Sequence, residues 1–157
     1  TDIYMAISEE PAERMFNGYD KTFNSTAPIV GDYWKVLYKI VQESNILLNR
    51  CTPDIAGNDY TSLTAQARFF RAMAYYYLVE TFGPVPLLTE ENTSVIQQAE
   101  RTGEQAIYTF IITELNDIKD KLDMTTISAG KVTNAAVIHF LGKMYLTRAY
   151  KSFAESG

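Results

Sequence analysis

The stretch AQARFFRAMAYYYLVETFGPVPLLT, Ala65 to Thr89, decides how the rest of the chain is read. Phe69, Met73 and Tyr76 follow one helical diagonal, and Phe70, Ala74, Tyr77 and Leu78 follow a second beside it. Only Arg68, Arg71 and Glu80 break them with charge. A helix with two apolar faces needs neighbours on two sides. Gly83 ends it, because glycine enters the left-handed region cheaply, and Pro84 and Pro86 forbid further helix. Arg68 and Arg71 stand three apart on this apolar rod, so at least one is expected to be buried and clamped by a carboxylate or by carbonyl oxygens.

Working outward, Trp34, Leu37, Tyr38, Val41, Asn45 and Leu48 recur at three- and four-residue steps and predict a helix over about 32–51, with Asp32 as N-cap. The opening helix predicted by the quoted stretch runs over about 61–82, capped by Thr61 or Ser62. Thr102-Gly-Glu-Gln105 fits a capping box, followed by the stripe Ile107, Ile111, Leu115, Ile118 and Leu122, which predicts a helix over about 103–122. Thr133 opens a last helix, about 133–153, carrying Val137, Leu141, Met144 and Tyr145. Ahead of all four, Ser8-Glu-Glu-Pro11 reads as a helix start, and Asn17 to Gly31 as a loop.

Sliding the chain on itself by 71 positions pairs Ile40 with Ile111, Glu43 with Glu114, Asn45 with Asn116, Ala65 with Ala136, Phe69 with Phe140, Met73 with Met144 and Phe82 with Phe153. A helical hairpin repeated twice follows, and stacked hairpins of this kind form tetratricopeptide-like arrays. The expected fold is all-α. Asn45 and Asn116, polar on apolar faces, are each expected to bond backbone of the neighbouring helix.

Composition narrows the function. A net charge of −5 over 157 residues argues against nucleic acid or anionic lipid as partner. One cysteine, Cys51, excludes an internal disulfide framework. His139 is the only histidine and the eight glycines stand singly, so neither a histidine metal cluster, a catalytic triad nor a phosphate loop is expected. The pairs Glu9-Glu10 and Glu90-Glu91 read as solvated surface rather than as a glycosidase dyad. No catalytic residue, metal or cofactor is expected. Sugars stack on exposed rings while amides read their hydroxyls, and 11 tyrosines with eight phenylalanines could supply such a surface. Trp34, Tyr38, Phe69, Phe70, Tyr76, Tyr77, Phe110 and Phe140 sit at helical spacing and are expected in the core. Tyr19, Phe23, Tyr33 and Tyr60 lie in or beside loops.

Four blocks in order carry a family resemblance: Trp34-x-x-x-Tyr38 through Asn45, the Arg-Ala and Gly-x-Val-Pro-Leu words of residues 65–88, Arg101 with Tyr108 and Ile111-x-x-Glu-Leu115, and Gly130-Lys-Val-Thr133 with Ala136 and Leu141 to Leu146. Together they resemble the SusD/RagB family of surface-exposed, outer-membrane nutrient-binding lipoproteins. Pro84 stands where that family usually has Asp or Asn. The resemblance implies a tetratricopeptide-like helical scaffold, no enzymatic activity, an oligosaccharide ligand, and a TonB-dependent, SusC-like transporter as partner in a Gram-negative outer membrane. It also implies a lipid-accepting N-terminal cysteine as the membrane anchor, which Cys51 cannot be, so the sequence reads as an N-terminal helical portion without that anchor.

Residues 1–157 are expected to form one such domain, divided into a loop-rich segment 1–31, a first hairpin 32–83, a loop 84–101 and a second hairpin 102–154. The family's chain ahead of the Trp helix contributes to its glycan face. Tyr19 and Phe23 are therefore expected to stack on a sugar, and Asn24 to read hydroxyls. The alternative is a helical-repeat module that binds protein and no glycan.

Overall fold

The computed structural model describes Asn24 and residues 27–94, 98–123 and 130–151. The chain forms two compact units, residues 1–36 and 37–157. Five α-helices are present among the described residues: α1 Pro28–Arg50, α2 Pro53–Ala56, α3 Tyr60–Phe82, α4 Glu104–Ile118 and α5 Asn134–Tyr150. A 3-10 turn, Gly57–Asp59, joins α2 to α3. There is no strand among the described residues, only an isolated antiparallel bridge between Val85 and Thr102.

In the first unit, α1 opens at Pro28 rather than at Asp32. Proline's fixed φ and missing N–H suit a helix's first position, and the Ala27 carbonyl accepts from Val30 N–H at 3.0 Å. Asp32 therefore lies inside the helix, where it pairs with Lys35 at 3.1 Å. Trp34 is half-buried.

In the second unit, α3 and α4 pack against each other, as do α4 and α5. Ile107, Tyr108, Ile111, Leu115 and Ile118 of α4 are fully buried, and meet the buried faces that include Leu78 and Val79 of α3 and Val137 and Met144 of α5. Alanines 65, 67, 72 and 74 are buried along α3, so neighbouring backbones can approach closely. Gly83 closes α3 at φ 70°, its N–H bonding the Val79 carbonyl at 3.0 Å. Thr133 caps α5 by accepting from Ala136 N–H at 3.3 Å.

Two other caps are not made. Thr61 and Ser62 fall inside the first turn of α3, because the 3-10 turn delivers the chain already helical at Tyr60. The Thr102–Gln105 box does not close, since Thr102 is drawn into the bridge and donates its N–H to the Val85 carbonyl at 2.9 Å, leaving Gly103 as an N-cap without side-chain help. The ring assignments change as well. Phe70 and Tyr77 are 37% and 42% exposed, while Tyr75, between the two expected diagonals, is fully buried.

Candidate functional site

Three features could serve function: a tethered loop, a polar cleft and a set of outward rings. The loop follows Gly83. Extended chain without a sheet partner leaves its carbonyls unsatisfied unless side chains reach them, and here two helices supply those side chains. Tyr38 donates to the Pro86 carbonyl at 2.7 Å. Asn45 Nδ2 donates to the Leu88 and Glu90 carbonyls at 3.1 and 2.9 Å. Tyr75 both donates to the Leu88 carbonyl at 2.9 Å and accepts from Leu88 N–H at 2.6 Å. Gln42 bonds the Asn92 backbone in both directions, and Glu91 is held by Asn49 and Arg50. Residues 86–92 are thereby tied along α1 and α3.

Beneath the loop lies a charged network. Buried Arg71 donates to Glu114 Oε2 at 2.6 and 3.2 Å, to Asn45 Oδ1 at 2.8 Å and to the Thr89 carbonyl at 3.1 Å. Arg68 donates to Glu114 Oε1 at 2.7 and 2.9 Å and to Asp117 at 2.8 Å. Burial pulls the Arg68 guanidinium down, but the bonds to Glu114 and Asp117 outweigh it and hold its pKa above the ordinary arginine value. The bond from Arg68 in turn keeps the Asp117 carboxyl below the usual range. Burial pushes the Tyr75 phenol up to about 12, partly opposed by the Leu88 N–H bond, and burial likewise raises Tyr38. With both guanidiniums and the carboxylate saturated by one another, this network is a clamp; it offers no free base or nucleophile. The expected carboxylate partner for the arginines is thus Glu114.

The cleft, about 290 Å³, opens where α3 begins and α4 ends. Asn58, Asp59, Thr61, Ser62 and Gln66 line one wall, Lys121, Leu122, Asp123, Lys131 and Val132 the other. The second wall is braced: Asn134 N–H bonds the Asp123 carbonyl at 3.1 Å, and the Asn134 amide reaches the Lys119 carbonyl. No ring is among these lining residues.

The rings gather around Phe140 of α5. Phe69 and Tyr76 pack edge-on against it with centroids 5.7 and 5.6 Å away, and outward Phe70 and Tyr77 pack edge-on against Phe69 and Tyr76 at 5.8 and 5.4 Å. Lys143 Nζ lies 4.6 Å from the Tyr76 ring centre.

Of the expected site residues, Tyr19 and Phe23 lie outside the described residues. Asn24 is exposed and its carbonyl accepts from Ala27 N–H at 3.0 Å. Tyr33 is exposed, Tyr60 half-buried and His139 exposed. Asn45 bonds backbone, but that of the tethered loop rather than a helix. Asn116 instead bonds its own helix at Ile112, at 3.0 Å, and the Tyr145 hydroxyl at 3.3 Å. Among the described residues no group of three or more His, Cys, Asp or Glu could hold a metal ion, and no helix is long and apolar enough to cross a membrane. Sequence reading missed the cleft because its walls come from segments some sixty residues apart; the cluster Asn58-Asp59-Tyr60-Thr61-Ser62 was its one local signal.

A family model described as SusD-like, "Starch-binding associating with outer membrane", matches residues 4–146. A SusD-like protein of Bacteroides ovatus is 31% identical over 122 residues, covering 74% of this chain and 22% of that protein. Among solved structures, a laminarin-binding SusD-like protein superposes with TM-score 0.67 at 30% identity, covering 74% of this chain and 26% of its own. A structure solved with xylogluco-oligosaccharide gives TM-score 0.65 at 30% identity, covering 74% and 23%. The chain thus spans about a quarter of the length of these relatives.

Proposed function

Because the chain belongs to the SusD-like family, we propose that it helps capture an oligosaccharide at the surface of a Gram-negative outer membrane and pass it, unhydrolysed, to a TonB-dependent transporter. The observation that carries this reading is that two solved relatives on the same all-α, tetratricopeptide-like scaffold are a laminarin binder and a protein solved with xylogluco-oligosaccharide. Capture without cleavage needs a rigid surface of rings and amides and no positioned acid and base. Residues 1–157 would act as one helical domain, with Tyr19 and Phe23 stacking on sugar and Asn24 reading hydroxyls. Each stacked ring is worth about 1 kcal/mol, so a few contacts give micromolar to millimolar affinity.

A second reading, a protein-docking module, is favoured by α5, whose outer side carries Ile138, Tyr145 and Leu146 at 50%, 51% and 65% exposure. Calorimetry of the full-length protein with laminarin and xylogluco-oligosaccharides separates the two. Binding that weakens in the variant Tyr19→Ala/Phe23→Ala supports the proposed site, unchanged binding discards those residues, and no binding to any glycan favours docking.

A further inference from the structure

The polar cleft and the outward rings occur on one arc of α3. From Ala65 to Val79 one side of the helix is buried, through Ala65, Ala72, Tyr75, Leu78 and Val79. At 100° per residue the opposite arc carries Ser62, Gln66, Phe70 and Tyr77, with half-buried Met73 between the two rings and exposed Glu80 beyond them. Ser62 and Gln66 face the cleft. Phe70 follows one turn later, and Tyr77 about 10.5 Å beyond it along the axis. That separation is close to the repeat of two sugar rings in an extended β-linked glucan.

We infer that this strip is a glycan-binding groove, with the cleft taking one sugar unit by hydrogen bonds and the chain running along α3 over Phe70 and Tyr77. The inference rests on the carbohydrate reading above and assigns it a second place, away from Tyr19 and Phe23. Three properties suit the ligand. The cleft walls mix amides and hydroxyls, which both donate and accept as sugar hydroxyls do, with two lysines balancing two aspartates, so a neutral polyol is favoured over an ion. Its volume, about 290 Å³, has room for a single pyranose with water. Each outward ring is held edge-on by an inner ring that is itself locked on Phe140, so little side-chain entropy remains to be lost on stacking.

The test is a titration of the full chain with xylogluco-oligosaccharides of increasing length, followed by calorimetry and by amide resonances of residues 58–77. Two variants are compared, Asn58→Ala/Gln66→Ala in the cleft and Phe70→Ala/Tyr77→Ala on the arc, with helical circular dichroism confirming the fold. Each pair is expected to weaken binding about tenfold or more, and the ring pair to abolish the gain in affinity with chain length. Glycan binding that neither pair alters overturns the groove while the carbohydrate reading stands. No glycan binding by the unmodified chain overturns both. A ring-pair variant that keeps its glycan affinity but no longer co-purifies with the transporter overturns the groove in favour of a docking surface.

Discussion

Arg71 and Glu114 are 43 residues apart in sequence and both buried, and neither is tolerable there alone. Removing one partner of such a pair strands the other charge in low dielectric. Glu114→Ala should therefore lower unfolding free energy by about 3–5 kcal/mol in urea melts. Asp117, which also bonds Arg68, is exposed, and Asp117→Ala should cost much less, because solvent screens the pair. Equal losses would mean that burial is not what makes the clamp matter. Tyr75 adds a pH dependence. Its folded pKa, about 12, lies above the ordinary 10.0, so the folded state keeps the phenol proton longer than the unfolded chain does. Stability from this group is complete below pH 10 and is lost as pH rises from about 10 towards 12. Tyr75→Phe should flatten that part of the stability–pH curve, and should also cost about 1–2 kcal/mol at neutral pH, because the Leu88 N–H loses its partner while the Leu88 carbonyl keeps only the bond from Asn45.

At the scale of elements, two glycines separate backbone strain from helix propensity. Gly142 sits mid-helix in α5, exposed, and a Cβ there would meet nothing within 4 Å. Gly142→Ala should stabilise by about 0.5–1 kcal/mol through propensity alone. Gly83 has room too, the nearest atom being Glu104 Oε1 at 3.5 Å, but its φ of 70° is strained for any L side chain. Gly83→Ala should therefore destabilise by about 1 kcal/mol or more and loosen the loop that leaves it. Thermal melts of the two variants should shift in opposite directions. The tethered loop itself was legible only in part. Pro84 and Pro86 announce an extended exit from α3, and Asn45 announces a polar bond on an apolar face. That the two meet could not be read, because the bond spans more than forty residues and depends on how α1 runs past α3. The capping box is the reverse case, in which a valid local signal at Thr102 loses to a non-local backbone bond with Val85.

Over the whole molecule, a scaffold whose irregular segment is tied down by side chains suits the proposed capture of a glycan, which needs a fixed surface. The binding experiments above ask which surface that is: the chain ahead of α1, the strip along α3, or the apolar side of α5. What the sequence by itself determined is the presence of the four longer helices, since periodicity, the Gly83 stop and the Thr133 cap are properties of neighbours a few residues apart, along with the family words that lie on them. Tertiary structure alone decided which carboxylate neutralises Arg71, which of the consecutive rings 75, 76 and 77 turn inward, and where a polar cleft opens. The α3 sequence is apolar almost all round, so its own pattern cannot say which arc stays bare; that depends on where α4 and α5 come to rest against it.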